Sequence, residues 1–234
     1  MSQVLLIILA LVIAIILHEL AHGVVAYLLD DDTAKRAGRL TLNPIRHIDR
    51  TGSIIVPLFL AVGQWLAIGQ VAFMYGWAKP VPVNPGRLRL GAYGNPRRLM
   101  ALVAIAGPAM NFLLALLGGL AVHAEFALSS PLFASFLAYF IVVNLVLGLF
   151  NLIPLPPMDG GRIAVGILPL PFALWLAKVE KIGIVGVLAL LFVLPLALQL
   201  FGIQFDPFRK AMDVVLPWAE HVILALTGNA VGNN

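Results

Sequence analysis

His18, Glu19 and His22 form the run His18-Glu19-Leu20-Ala21-His22 inside a long apolar stretch. On a helix, positions i and i+4 share one face a turn apart, which suits two imidazole nitrogens on one zinc ion. Glu19 follows the first histidine by one residue and precedes the second by three. It is therefore placed to reach a water on that ion as a general base without joining the ligand set. In a soluble helix this spacing is often mere surface charge. Within a membrane helix, three ionisable groups in five residues are costly unless they pair, bind a metal or line a wet cavity. Hydrolytic zinc sites have three protein ligands plus water. The chain has no cysteine, so the third ligand must be another His, Asp or Glu. Of the acidic residues, Asp159 stands in a Pro/Gly-rich break, LPPMDGGR, at the end of an apolar run. Gly160 and Gly161 are expected to allow close backbone approach and positive φ, letting the carboxylate point back into a helix bundle. Asp159 is the expected third ligand, with a local helix cap as the alternative.

The elements that must hold these groups are membrane helices. The chain has 234 residues, 61% hydrophobic and 11% charged, with a mean hydropathy of +1.00. A soluble domain is about half apolar and about a quarter charged, so this surplus has no aqueous surface to occupy. The expected class is an all-α polytopic membrane protein with about five to six transmembrane segments, at roughly 20 apolar residues per span. The 15 Lys and Arg exceed the 11 Asp and Glu but sit beside apolar runs, so no nucleic-acid partner is expected. The absence of cysteine removes disulfides, thiolate metal sites and a Cys nucleophile.

Apolar runs cover about 4–29, 53–77, 99–122, 132–155 and 182–203, and the tail 206–226 reads as amphipathic. The first is too long for a signal-peptide core and should be a retained helix. The second is broken by Pro57, Gly63-Gln64 and Gly69-Gln70. One metal requires His18, His22 and Asp159 at one depth, so the first and fourth runs must point the same way. That holds only if the second run enters and leaves on one side, as a re-entrant hairpin or a pair of short helices. The charges agree: such a topology puts thirteen of the fifteen Lys and Arg on one side, whereas a single span leaves almost no bias. The N-terminus is then outside the cell membrane, and the site opens toward the cytoplasm.

These residues resemble the site-2 protease family of intramembrane zinc metalloproteases. HELAHG at 18–23 is similar to its zinc-binding helix, and FNLIPLPPMDGGR at 150–162 to its second signature, with Met158 where Leu is common. LTLNPIRHIDRTGS (40–53), GWAKPVPVNP (76–85) and AGPAMN (106–111) extend the likeness to small prokaryotic members without PDZ or CBS domains. The resemblance implies that His18, His22 and Asp159 bind one Zn2+ per chain and that Glu19 activates the water. It implies a protease core over 1–162 and an accessory membrane helix and amphipathic tail over 163–234. The expected partners are the lipid bilayer and a membrane protein substrate whose helix can unwind locally.

Asn111 and Asn144 lie in the third and fourth apolar runs, where they would contact an unwound substrate or the oxyanion, or else bond between helices. Asn151 is expected to satisfy backbone groups freed by Pro154. His47 reads as a loop residue, and the basic, proline-rich segment 79–98 as a guide for substrate. Two rival functions use the same residues: a metal-ion transporter, which needs a two-sided polar path, and a catalytically inactive binder of membrane helices, which has no need of Glu19. Nothing in the sequence sets the oligomeric state.

Overall fold

Helix α1 (Gln3–Leu28) buries Ala10, Ala14, His18, His22 and Ala26, each four residues after the last. This stripe is one face of a helix, and its small members let neighbouring backbones come close. The opposite faces expose Val4, Leu5, Ile8, Leu11 and Leu28, an apolar surface suited to hydrocarbon. The computed structural model describes residues 3–71, 76–89, 95–124, 129–179 and 207–229, with isolated positions between 186 and 202.

Two further helices complete the bundle. Helix α4 (Pro96–Ala121) starts with Asn95 accepting from the Arg97 N–H at 3.0 Å and with Pro96 in its first turn. The helix labelled α5 (Pro131–Asn151) starts in the same way, with Ser130 as cap and Pro131 behind it. Ala26 clusters with Leu99 and Val103 of α4, and Ala10 with Leu114, so α1 and α4 are antiparallel. A Cβ on Gly118 would lie 3.0 Å from Ile141, and one on Gly148 would lie 3.2 Å from Phe112, so α4 and α5 are antiparallel too. Helices α1 and α5 therefore run parallel, as a shared metal site requires.

The smaller elements finish the frame. A short helix α2 (Thr33–Arg36) follows α1. A π-helical turn, Arg50–Ile55, leads into α3 (Val56–Ile68), which ends on Gly69 in the left-handed region at φ 70°. After α5, the turn through Pro156 and Pro157 leads to α6 (Asp159–Ile167) and α7 (Leu170–Val179). Helix α8 (Pro207–Leu226) is amphipathic and lays Ala219 and Ile223 against Ala115, Ile141 and Leu145. Its end is tied to the end of α4: His123 Nε2 donates to Thr227 O at 2.6 Å, and Asn229 Nδ2 to Gly119 O at 2.7 Å.

The described residues are helices and loops without a strand, and three helices, α1, α4 and α5, are long and apolar enough to cross a membrane. The fifth apolar run, 182–203, lies outside the described residues apart from isolated positions, as do Glu125 and Glu180. The second run contains a shorter apolar helix, Arg50–Leu66. Its two ends meet: the Trp77 N–H donates to Gly52 O at 3.1 Å, Ser53 Oγ donates to Trp77 O at 2.9 Å, and the Lys79 N–H donates to His47 O at 2.9 Å. Gly52 is required there, because a Cβ would sit in the Trp77 indole. The run thus leaves the bundle and returns to the same place.

Candidate metal centre

The bundle brings His18, His22 and Asp159 to one point. His18 Nε2 and His22 Nε2 are 3.1 Å apart, and Asp159 Oδ2 is 3.1 Å from the first and 3.2 Å from the second. All three residues are buried, at 5%, 9% and 6% exposure. The histidines share the α1 stripe. Asp159 opens α6, where its carboxylate also benefits from the positive end of the helix.

Close backbone approach, expected of the two glycines, explains how Asp159 gets there. A Cβ on Gly160 would strike Leu152 O, and one on Gly161 would strike Pro156 N. The start of α6 therefore folds flat against the turn that follows α5, and the carboxylate is carried back between α1 and α4. The expected positive φ is corrected: both glycines are helical, and they serve space rather than handedness. Asp159 is no local cap, because Met158 precedes it at the cap position.

A chain of hydrogen bonds fixes the imidazoles. Phe140 O can only accept, so Asn144 Nδ2 donates to it at 2.8 Å and Asn144 Oδ1 faces the other way. That oxygen accepts from Asn111 Nδ2 at 3.0 Å, which turns Asn111 Oδ1 toward His18 Nδ1 at 2.6 Å. His18 Nδ1 must then carry the proton. His22 Nδ1 likewise donates to Val103 O at 2.8 Å. In both rings the proton sits on Nδ1, and the Nε2 lone pair faces inward. Two lone pairs and a carboxylate oxygen, Asp159 Oδ2, which has no hydrogen-bond donor, converge within about one bond length of a common centre. This donor set fits a divalent cation of zinc's preferences.

Gly107 closes the pocket on the α4 side. A Cβ there would overlap the His18 and His22 rings. Pro108 lies in the same turn, wholly buried. The run AGPAMN marks this turn in the sequence, but Gly107 received no role there; a glycine one turn before Asn111 was the available signal. Glu19 lies half-buried beside the site, and its Oε2 accepts from the Val81 N–H at 2.9 Å. That contact joins residues 62 positions apart and has no side-chain signature on the Val81 side.

The remaining sequence candidates fall elsewhere. His47 is buried in the loop after α2 and bonds Thr41 O at 2.9 Å. Asn151 donates to Leu147 O at 3.0 Å, within its own helix, rather than to a carbonyl opposite Pro154.

Helices antiparallel in pairs around a His-His-Asp cluster with an adjacent glutamate define a metallopeptidase-like site. Comparison with known proteins gives the family. The family model "Peptidase family M50" matches residues 118–194, which include Asp159. "Putative zinc metalloprotease YwhC" of Bacillus subtilis is 39% identical over 196 residues, 81% of this chain and 80% of that protein. "Putative zinc metalloprotease Rip2" of Mycobacterium tuberculosis is 30% identical over 155 residues, 63% of this chain and 51% of its own length. The Rip2 of Mycolicibacterium smegmatis is 27% identical over 144 residues, 62% of this chain and 50% of its own. No solved structure matches the chain. The chain belongs to peptidase family M50.

Proposed function

We propose that this zinc metalloprotease is an intramembrane endopeptidase that hydrolyses a peptide bond in or beside a transmembrane helix of its substrate. The observation that carries the reading is the convergence of His18 Nε2, His22 Nε2 and Asp159 Oδ2 at 3.1–3.2 Å, with both Nδ1 protons committed elsewhere. These three residues would hold one zinc ion per chain. When bound, the ion supplies Lewis acidity, which makes a water nucleophilic near neutral pH and polarises the scissile carbonyl.

The chain's own residues do the rest. Glu19 Oε1 is free to take the proton of the attacking water and return it to the leaving amine, since Oε2 is held by Val81. Of the two expectations for Asn111 and Asn144, contact with substrate or oxyanion and bonding between helices, we favour the second and assign both to the orientation of His18, because their amide groups are engaged with His18, each other and Phe140 O. A substrate helix must unwind before its carbonyl can be attacked, as its own hydrogen bonds hold that carbonyl away.

The active site is assigned to the cytoplasmic side of the cell membrane. Support comes from the two basic loops, which meet at the C-terminal end of α1: Arg39 Nη2 donates to Lys79 O at 2.5 Å, and Arg87 pairs with Asp32 at 2.6 Å. Residues 1–162 are read as the protease core and 163–234 as accessory. The transporter alternative needs a polar path on both sides of the site, but the other side is packed by Ala10, Leu114 and Phe140.

The test is elemental analysis of the purified protein together with cleavage of a reconstituted single-span helix carrying a central Asn-Pro break. Near-stoichiometric zinc that is lost in Asp159→Ala, with turnover abolished but zinc kept in Glu19→Gln, is the expected result. Turnover that survives Glu19→Gln overturns the reading.

A further inference from the structure

Segment 79–89 is strapped along the C-terminal half of α1. From its start, the Lys79 N–H donates to His47 O at 2.9 Å while Lys79 O accepts from Arg39. The Val81 N–H donates to Glu19 Oε2 at 2.9 Å, the Asn84 N–H to Asp31 Oδ2 at 2.6 Å, and the Arg89 N–H to Leu29 O at 2.9 Å. Val81 is 8% exposed, and its Cγ1 lies 3.1 Å from where a Cβ on Gly23 would stand, one turn beyond Glu19. Pro80 and Pro82 have no N–H, so Val81 supplies the one main-chain donor between Lys79 and Val83.

Asp31 is unexplained by the chemistry. Its residue is fully buried, and a buried carboxylate is costly unless it is hydrogen-bonded. Here it accepts from the Thr33 N–H at 3.1 Å, the Thr33 hydroxyl and the Asn84 N–H. Two of those bonds stay within its own turn; the third fastens the strap.

We propose that the strap is a positioning device for Glu19. Val81 holds one carboxylate oxygen by its main-chain N–H, so the other oxygen faces the reacting water without a search among rotamers, and Asp31 keeps the strap in register. Val81 and Asp31 are positioning residues, acting through Glu19. The inference rests on the assignment of Glu19 as the base.

The experiment compares Val81→Pro with Val81→Ala in the full-length reconstituted protein, using the single-span helix above. Pro82 already biases position 81 to extended backbone, which proline also adopts, so Val81→Pro removes the donor, and Val81→Ala controls for the side-chain packing that goes with it. Val81→Pro is expected to lower kcat by about 10- to 100-fold, the equivalent of one hydrogen bond to a charged group, with KM within about twofold and zinc content unchanged. Val81→Ala keeps the donor and is expected to stay within about threefold in kcat. Asp31→Ala is expected to lower kcat in the same direction with zinc retained. Independently of turnover, hydrogen exchange of the peptide over 79–85, which has few amides because of its prolines, is expected to speed up at Val81 in Glu19→Ala. Exchange unchanged by Glu19→Ala, or wild-type kcat in Val81→Pro while Glu19→Gln is inactive, overturns the proposal alone. Turnover in Glu19→Gln overturns it together with the assignment of the base.

Discussion

Helices α4 and α3 are both apolar, yet one lies at the centre of the molecule and the other packs against little beyond its own base. Helix α4 meets α1 through Gly107, Leu99 and Val103, and meets α5 through Gly118, Asn111 and Phe112. Helix α3 exposes Leu58, Phe59, Trp65 and Leu66, at 61%, 75%, 64% and 80%. Its described ties are at the foot, around Gly52, Ser53 and Trp77. Hydrophobicity does not separate the two. In hydrocarbon, a leucine is as content against lipid as against another helix, so packing is decided by small residues that admit a neighbour and by polar groups that need one. Helix α4 sets both against its neighbours, whereas the small residues of α3 do not: a Cβ on Gly63 would meet nothing.

The contrast is broken most forcefully at Gly107. Gly107→Val would push two methyl groups into both imidazoles; zinc content by elemental analysis is expected to fall below about a tenth of the native level, with loss of folding stability of about 1–3 kcal/mol. Asn111→Leu is next. It removes the acceptor that holds the His18 Nδ1 proton, and a competitive chelator titration is expected to show zinc affinity reduced about 10- to 100-fold. Asn144→Leu acts one step further out. It leaves Asn111 Nδ2 unpaired, which is expected to cost about 1–3 kcal/mol in thermal unfolding but to weaken zinc binding less than Asn111→Leu does. Trp65→Ala and Leu66→Ala on α3 are expected to leave zinc unchanged and stability within about 0.5 kcal/mol in a lipid or detergent environment. A large loss from either α3 variant would show that the arm has a packing partner and would remove the contrast.

How far the sequence reached follows from the same physics. His18, Glu19 and His22 were legible because ionisable groups in an apolar run need a reason, and Asp159 because a Pro/Gly break is where a carboxylate can turn inward. The parallel course of α1 and α5 was legible from the distribution of Lys and Arg, which reports sidedness independently of any ligand. The part played by Asn111 was not legible, since it depends on which face of α4 meets α1. An asparagine in a membrane helix signals a polar partner but not its identity. Nor was Val81: a main-chain donor is present at every residue but proline, so only the fold could single this one out. Positive φ at Gly160 and Gly161 was expected because glycine often serves that end, whereas here the crowding of Leu152 O and Pro156 decides it.

The clasp between Gly52 and Trp77 has a consequence for how the chain can be altered. Residues joined by one backbone hydrogen bond at 3.1 Å are as near as the two feet of a hairpin, so the chain between Gly52 and Trp77 starts and finishes at one place. Changing the length of such a loop alters closure entropy only logarithmically. Shortening the arm is therefore expected to leave the segment beyond Lys79 in phase with α1, read as zinc content unchanged by elemental analysis. The clasp, rather than the length of the arm, fixes where the strap begins, because the Lys79 N–H is held by His47 O at its foot.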